Sequence, residues 1–308
     1  MDSSTSDADY NELNDKTVNI TRYEQSVHSG PKKCSIVITL LALIFMTYCM
    51  MLFQSYKDVD NHENDTIKSY DKSHSHIAEY YSSINLDAMN EELKSQLHTL
   101  ISNHVTIPYE AVWEAFADIY SHYPCDGSPG HIPDIYSAHC WVPKKNTAHG
   151  ECGAYKKEGD CFNREHMWPK AWFGGFEKGA GAQTDLFELA PSDGRVNQER
   201  GDLPLGNVLS RSVTYRSSNG CRVGTCASPG HSGQCFEVTD SLKGDLARAY
   251  FYLSVAYSGL WHCCEGEGVS GSHIKKWMDA ELRVWHVEDP VDERERERNE
   301  KETESERE

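Results

Sequence analysis

Residues 34–53 (CSIVITLLALIFMTYCMMLF) form a run of twenty residues without a charged side chain. At about 1.5 Å per residue, a helix of this length spans about 30 Å, the thickness of a bilayer hydrocarbon core. The run is too long, and begins too far into the chain, for a cleavable signal peptide. We therefore expect a transmembrane signal-anchor helix over residues 34–54. The alternative, a buried helix of a large core, fits the polar flanks less well.

The residues around this run predict the topology. Lys32 and Lys33 precede it directly, and the positive-inside rule places that end in the cytoplasm. Residues 1–33 then form a disordered cytoplasmic tail, and residues 55–84 form a polar stalk with a glycosylation sequon at Asn64. These features predict a single-pass type II membrane protein whose bulk is extracellular or lumenal, with the membrane as a partner.

The rest of the chain divides into one domain and one tail. Residues 85–290 are long enough for a single domain with a substantial core, and residues 291–308 form a charged tail. The net charge of the chain is −18, which excludes a general polycation that coats nucleic acid. However, residues 141–250 contain 14 Lys and Arg against 13 Asp and Glu. A polyanionic substrate for this central stretch therefore remains compatible with the composition.

Eleven cysteines indicate an oxidising compartment or metal sites. Two of them lie in the apolar run, and nine follow it. Outside the cytoplasm these nine predict four disulfides and one odd thiol, with connectivity open. A zinc site is the alternative, but the spacings lack the paired two-residue cysteine motif of most structural zinc sites.

Apolar residues recur at helical intervals in four segments, and glycine, proline and cysteine are concentrated in residues 122–240 between them. The predicted fold class is α+β: a mainly helical domain, preceded by the transmembrane helix, with short strands and loops in its middle. The predicted helices cover residues 85–104, 108–121, 242–261 and 272–286.

Two stretches combine the residue types of a hydrolytic site, CFNREHMWPK from Cys161 and DLFELAPSDGRVNQER from Asp185. A histidine that is neutral near pH 7, such as His166, can take a proton from water. Glutamate and asparagine supply oxygen atoms, which suit a hard cation such as Mg²⁺ or Ca²⁺. Glu165 and Asn197 are therefore candidate ligands. A structural histidine beside a surface glutamate is the alternative interpretation.

The same stretches predict two strands. The first ends in Glu165 and His166, and the second covers Leu186–Ala190. On a regular strand, neighbouring side chains point to opposite faces. Glu165 and His166 can therefore reach one site only if the strand ends or bulges there.

A helix is predicted after the second strand. Ser192 or Asp193 would cap its amino terminus, and Asn197 and Arg200 would lie three residues apart on one face. Two strands and this helix would form a ββα unit around one oxygen-liganded metal ion.

The string NREHMWPKAWFG at residues 163–174 closely resembles the signature of the bacterial endonuclease I family. Members of this family are His-Me-finger (ββα-metal) nucleases that cut DNA and RNA with little sequence preference. The stretch 185–200 resembles the second motif of the family. Further similar blocks lie at residues 204–206, 236–248, 284–290 and 298–299.

The resemblance implies a role for each matching residue. His166 matches the general base, and Glu165 and Asn197 match the ligands of the divalent ion. The ion would be Mg²⁺, with Ca²⁺ or Mn²⁺ as alternatives. Arg164 and Arg200 match the arginines of the motif and are further catalytic candidates. Whether they contact phosphate or form structural ion pairs stays open.

The function implied is a metal-dependent, sequence-nonspecific endonuclease that hydrolyses phosphodiester bonds in DNA and RNA and leaves 5′-phosphate ends. Its partner would be nucleic acid, bound mainly through phosphates. The basic side chains expected to contact phosphate are those at positions 164, 170, 195, 200, 211 and 216.

Three departures from the family pattern support a second hypothesis. Phe187 replaces the usual His, Glu188 replaces the usual Asn or His, and the acidic tail replaces the family's terminal Asn-Arg-Asn-Pro-Phe segment. The alternative is a catalytically inactive, disulfide-stabilised surface module that binds nucleic acid or protein.

Overall fold

The computed structural model describes residues 79–85, 87–123, 125–143, 150–174, 181–262 and 264–305. The described residues from Tyr81 onward belong to one compact unit. The predicted cytoplasmic tail, the apolar run and the stalk as far as residue 78 lie outside the described residues.

The predicted fold class is wrong as stated, because helices and strands are mixed in the described unit rather than mainly helical. No helix within the described ranges is both long and apolar enough to cross a membrane. The longest of them has 14 residues, which at about 1.5 Å each give about 21 Å against the 30 Å of a bilayer core. Residues 34–54, over which the membrane helix was predicted, lie outside the described ranges. The described unit is α+β.

Helices form where the apolar spacing predicts them. The four predicted helices are confirmed as α1, α2, α4 and α5, with shorter bounds. A short helix, α3, follows the second of the two strands predicted around the candidate site. Helix α6 occupies most of the charged carboxyl-terminal segment. Their bounds are Asn90–Ile101 (α1), Val112–Tyr120 (α2), Gly194–Arg200 (α3), Lys243–Ala256 (α4), Lys276–Glu288 (α5) and Glu293–Ser305 (α6).

The strands form four small sheets, each of them antiparallel. β5 (Val208–Arg216), β6 (Arg222–Cys226) and β7 (Gln234–Glu237) make a three-stranded meander. The other sheets are two-stranded. They pair β1 (Ile132–Pro133) with β2 (Cys140–Trp141), β3 (Phe162–His166) with β4 (Leu189–Asp193), and β8 (Val269–Ser270) with β9 (His273–Ile274).

The β3–β4 hairpin lies between two apolar clusters. On one side, Phe162 and Leu189 pack with residues of α2 such as Phe116. On the other, Ala190 belongs to a larger cluster that includes Leu246 and other residues of α4. Both faces of the hairpin are therefore covered, although it has only two strands. Such a pair is only marginally stable by itself, so its geometry depends on the two clusters.

Disulfides tie the loops around this hairpin. Three are formed among the described residues: Cys125–Cys140, Cys152–Cys161 and Cys226–Cys235. Cys221 is a buried thiol, Cys264 is buried, and Cys263 lies outside the described ranges. The described residues thus contain three disulfides rather than the four predicted. His231 lies near Cys226 and Cys235, but their sulfurs form a disulfide and are not thiolate ligands for zinc.

Helix α6 packs against α2, and an ion-pair network extends from it to α4. Arg298 donates to Asp245 at 3.1 Å and lies 3.3 Å from Glu302. Arg248 pairs with Glu295 at 2.5 Å. Glu302 is only 2% exposed, so part of this highly charged segment is buried rather than solvated.

Replacing Arg298 with Met should lower the free energy of unfolding by about 3–5 kcal/mol, because it leaves the buried Glu302 without its partner. Arg296→Met, on the exposed side of the same helix, should change it by less than about 0.5 kcal/mol. Urea unfolding with the disulfides intact measures both. Equal midpoints for the two variants would show that this pair does not hold α6.

Thiol labelling should distinguish the two kinds of cysteine. In denaturant without reductant, iodoacetamide should modify Cys221 but none of the six disulfide-bonded residues, since alkylation needs a thiolate. Peptide mass spectrometry before and after reduction measures this. Labelling of the six before reduction would contradict the disulfide assignment.

Candidate active site on the hairpin and helix α3

The catalytic candidates of the first motif lie at the end of β3. The hairpin keeps an unbroken register over its five residue pairs, so no bulge separates Glu165 from His166. Alternation then places Glu165 on the face towards α3 and α4, with Arg164 and His166 on the opposite face. The strand ends at His166. Of the two conditions for a shared site, a strand end or a bulge, the structure therefore has the strand end.

Helix α3 follows β4 directly, as predicted, and Asp193 is its cap. The Asp193 carboxylate accepts hydrogen bonds from the backbone N–H of Arg195 and Val196. Gly194 opens the helix beneath the Cys152–Cys161 disulfide. A side chain there would lie 2.6 Å from the Cys152 sulfur, so the close approach requires glycine.

Arg200, at the end of α3, is 1% exposed and acts as a buried clamp. It donates to the carbonyls of His166 at 3.2 Å, Gly201 at 3.1 Å and Met167. Its Nε also lies 3.5 Å from Glu165 Oε1. Arg200 is thus placed as a structural group that binds the end of β3, and its burial leaves it no route to a phosphate.

Glu165 is 2% exposed, and burial raises the pKa of its carboxyl to about 7 despite the nearby Arg200. Its Oε1 atom is buried and has no hydrogen-bond partner among the described residues. Asn197 is half-buried and lies one helical turn before Arg200, on the same side of α3. Because Arg200 contacts Glu165, this spacing turns Asn197 towards the Glu165 face of the hairpin.

His166 is held by the backbone. Its Nε2 lies 3.2 Å from the carbonyl oxygen of Gln183. A carbonyl only accepts hydrogen bonds, so Nε2 carries the hydrogen of the neutral ring and Nδ1 keeps the lone pair. Burial, together with the positive charges of Lys170 and Arg164, lowers the pKa of His166 to about 3. The ring is therefore neutral at physiological pH and able to accept a proton.

A turn of 3₁₀ helix, Ala182–Thr184, positions the Gln183 carbonyl. Asp185, just after it, is buried and accepts hydrogen bonds from Phe187 N at 2.9 Å and from the hydroxyl groups of Tyr257 at 2.8 Å and Tyr252 at 3.1 Å. The turn that Asp185 closes covers residues 186–188, which were predicted as strand. The second strand consequently begins three residues later than expected, at Leu189.

Arg164 lies on the His166 face, sandwiched by aromatic rings. Its guanidinium carbon is 3.4 Å from the centre of the Tyr109 ring and 4.4 Å from that of Trp113, and it donates to the Tyr109 carbonyl at 2.5 Å. Tyr109 also stacks on His166, with ring centres 6.2 Å apart. Tyr109 and Trp113 fall within the predicted helix 108–121, and no local motif marks them as part of the site.

The other basic candidates differ in their burial and in their partners. Lys170 is half-buried, and its charge acts on His166. Arg195 is paired with Glu199 on α3. Arg211 and Arg216 are exposed on β5. Arg164 and Lys170 are therefore the basic side chains nearest the catalytic histidine.

The donor set fits a hard divalent cation. The buried Oε1 of Glu165 has an ion-pair partner in Arg200 but no hydrogen-bond partner among the described residues, and Asn197 can add a neutral oxygen on the same side. Such oxygen ligands are those that Mg²⁺, Ca²⁺ and Mn²⁺ prefer. Glu165 and Asn197 would hold the ion.

Two antiparallel strands followed by a helix, with Glu-His at the strand end and Asn on the helix, form the ββα arrangement of His-Me-finger nucleases. The Endonuclease I family profile matches residues 89–307. The chain belongs to the endonuclease I family, as its motifs predicted. This is a family of nucleases, which hydrolyse phosphodiester bonds, and its members are in general metal-dependent.

Two curated relatives carry the name extracellular ribonuclease. The protein from Bacillus amyloliquefaciens is 30% identical over 213 residues, covering 66% of this chain and 63% of the relative. That from Bacillus subtilis (strain 168) is 31% identical over 212 residues, covering 67% of this chain and 64% of the relative. The match thus spans less than two thirds of either relative.

Arg200→Lys should keep the positive charge beside Glu165 but lose the fork that reaches the carbonyls of His166 and Met167. Each buried carbonyl left unpaired costs about 1–3 kcal/mol, so the free energy of unfolding should fall by at least that amount. Arg195→Lys, on the same helix, should have an effect below about 0.5 kcal/mol. Urea unfolding compares the two variants, and equal stabilities would contradict the clamp.

Proposed function

We propose that this chain is an active, metal-dependent and sequence-nonspecific endonuclease that cleaves DNA and RNA and leaves 5′-phosphate ends. The observation that carries the proposal is a ββα unit whose first strand ends in a buried Glu165 carboxylate and a buried, neutral His166. Family membership supports the reaction class, and the names of the two relatives support RNA as one substrate.

His166 acts as the general base of the proposed reaction. The Gln183 carbonyl holds Nε2–H, so the lone pair of Nδ1 is available to take a proton from the attacking water. Arg200 holds the carbonyl of His166 and thereby fixes the backbone from which the ring projects. Hydrogen bonds thus orient both the side chain and the main chain of the base.

Glu165 and Asn197 are the proposed ligands of the divalent ion, and Mg²⁺ is the ion we propose. When bound, it supplies positive charge that stabilises the phosphoryl oxygens and the departing 3′ oxygen. Glu165 is suited to the task because its free oxygen is buried and cannot be satisfied by water.

Arg164 and Lys170 give the His166 face a positive potential, since both lower the pKa of the histidine by their charge. We propose that they attract the phosphodiester backbone. Contacts to phosphate carry no sequence information, which agrees with nonspecific cleavage and makes binding sensitive to salt.

The three disulfides support a location in an oxidising compartment outside the cytoplasm. The Cys152–Cys161 bridge supports this in particular, because it closes the loop directly before β3 and packs on the start of α3.

Substitution of His166 with Ala should lower turnover of the purified, disulfide-bonded chain by about a hundredfold or more, the scale of general-base catalysis. Asn197→Ala should instead weaken the apparent affinity for Mg²⁺, with activity partly restored at high Mg²⁺. His273→Ala, an exposed histidine on β9, is the matched control and should leave activity unchanged.

The measurement is Mg²⁺-dependent nicking of a plasmid and cleavage of an RNA of similar length. Near-full activity of His166→Ala in a folded chain would contradict the assignment of the base. No cleavage by the wild-type chain with Mg²⁺, Mn²⁺ or Ca²⁺ would favour the inactive binding module.

A further inference from the structure

Glu188 is a second buried carboxylate on the Glu165 face of the hairpin. Glu165 pairs with Ala190, and beyond the strand end Met167 N donates to the Glu188 carbonyl at 3.1 Å. By alternation, Glu165 and Glu188 lie on the same face, as diagonal neighbours across the two strands. Such neighbours have Cα atoms about 7–8 Å apart, within reach of two glutamate side chains that share one ion.

Each of the two carboxylates has one buried oxygen atom without a hydrogen-bond partner among the described residues. Glu188 is 0% exposed; its Oε2 accepts from Trp168 N at 3.1 Å, but its Oε1 is buried with no hydrogen-bond partner among the described residues. Glu165 Oε1 is in the same condition. One face of a two-stranded hairpin therefore contains two buried oxygen atoms that no donor satisfies.

The charges of the surrounding groups do not balance. Arg200 is the cation in contact with Glu165, and it also acts electrostatically on Glu188. Asp185, a third buried carboxylate, adds negative charge on the Glu188 side. Lys170 is a second cation that acts on Glu165, whereas the nearby hydroxyl groups of Tyr136 and Tyr250 bring no positive charge, so three carboxylates face two cations. Buried carboxylates without compensation are costly, so this face requires further positive charge.

A divalent cation is a source of that charge that both carboxylates can share. It binds the lone pairs of the two Oε1 atoms directly, and neither atom has a hydrogen-bond partner among the described residues. Asn197, on the same side, can contribute its amide oxygen.

We propose that Glu188 is a further carboxylate ligand of the divalent ion that Glu165 and Asn197 would hold. The site then has two anionic and one neutral oxygen donor, and Arg200 neutralises part of their charge. This inference rests on the proposed function, because it concerns the same ion. It predicts tighter metal binding than Glu165 and Asn197 alone would provide.

The test is direct metal binding by the full, disulfide-bonded chain, measured with Mn²⁺ by electron paramagnetic resonance and isothermal titration calorimetry. Glu188→Gln removes the charge, and its amide oxygen can still accept from Trp168 N. We expect the affinity for Mn²⁺ to fall by about tenfold or more, within the range found when residues that tune a metal site are replaced. Glu281→Gln is the matched control. Glu281 is also buried, but it is hydrogen-bonded to Asn207, the residue directly before β5. Its affinity should equal that of the wild type.

A second variant covers the case in which Glu188→Gln does not fold. Glu188→Asp keeps the charge but shortens the reach, and we expect an affinity between those of the wild type and Glu188→Gln. The shift in melting temperature on adding Mn²⁺ should follow the same order.

The outcomes separate the inference from the proposed function. If the wild type binds Mn²⁺ and the Glu188 variants bind it equally well, Glu188 is a structural carboxyl and the inference is overturned. If the wild type itself binds no Mn²⁺, the metal site of the proposed function fails as well. Weakened binding in Glu188→Gln, with the control unchanged, supports the inference whatever the rate of nucleic-acid cleavage.

Discussion

The geometry of the site depends on one buried guanidinium. Arg200 joins the last turn of α3 to the last residues of β3, through the carbonyls of His166 and Met167 and through Glu165. The Met167 carbonyl also accepts from the Tyr250 hydroxyl at 2.8 Å, whereas Glu165 has no other cation in contact with it among the described residues. The same contact orients the backbone of the general base and partly compensates the carboxylate that would bind metal. Arg200 is thus a positioning residue for both halves of the proposed chemistry.

The hairpin can hold these groups because it is enclosed. Apolar clusters cover both of its faces, and a disulfide fixes the chain just before β3. Enclosure has an electrostatic consequence as well. Burial lowers the pKa of His166 to about 3 and raises that of Glu165 to about 7. The same burial that makes a two-stranded sheet stable therefore keeps the base neutral and leaves the carboxylate in need of a cation.

Local patterns predicted the site better than its surroundings. Residue type and spacing were sufficient to place Glu165 and His166 at a strand end, Asp193 at a helix cap and Asn197 on the helix. The second strand begins later than predicted because the Asp185 side chain closes a turn by accepting a hydrogen bond from Phe187 N. Asp185 also accepts hydrogen bonds from two tyrosines in and just after the distant helix α4. The predicted fold class was too helical, since the Gly-, Pro- and Cys-rich middle of the chain forms small antiparallel sheets whose pairing no helical period reveals.

The sequence by itself determined the family, the ββα order and the candidates for the base and the oxygen ligands, because these depend on motifs of neighbouring residues. Only the tertiary structure decided which partners each arginine of the motif has. Arg164 and Arg200 look equivalent in the motif, yet one lies between the rings of Tyr109 and Trp113 and the other is buried on main-chain carbonyls. Their roles differ because burial and partners come from residues far apart in the chain, which no local pattern encodes.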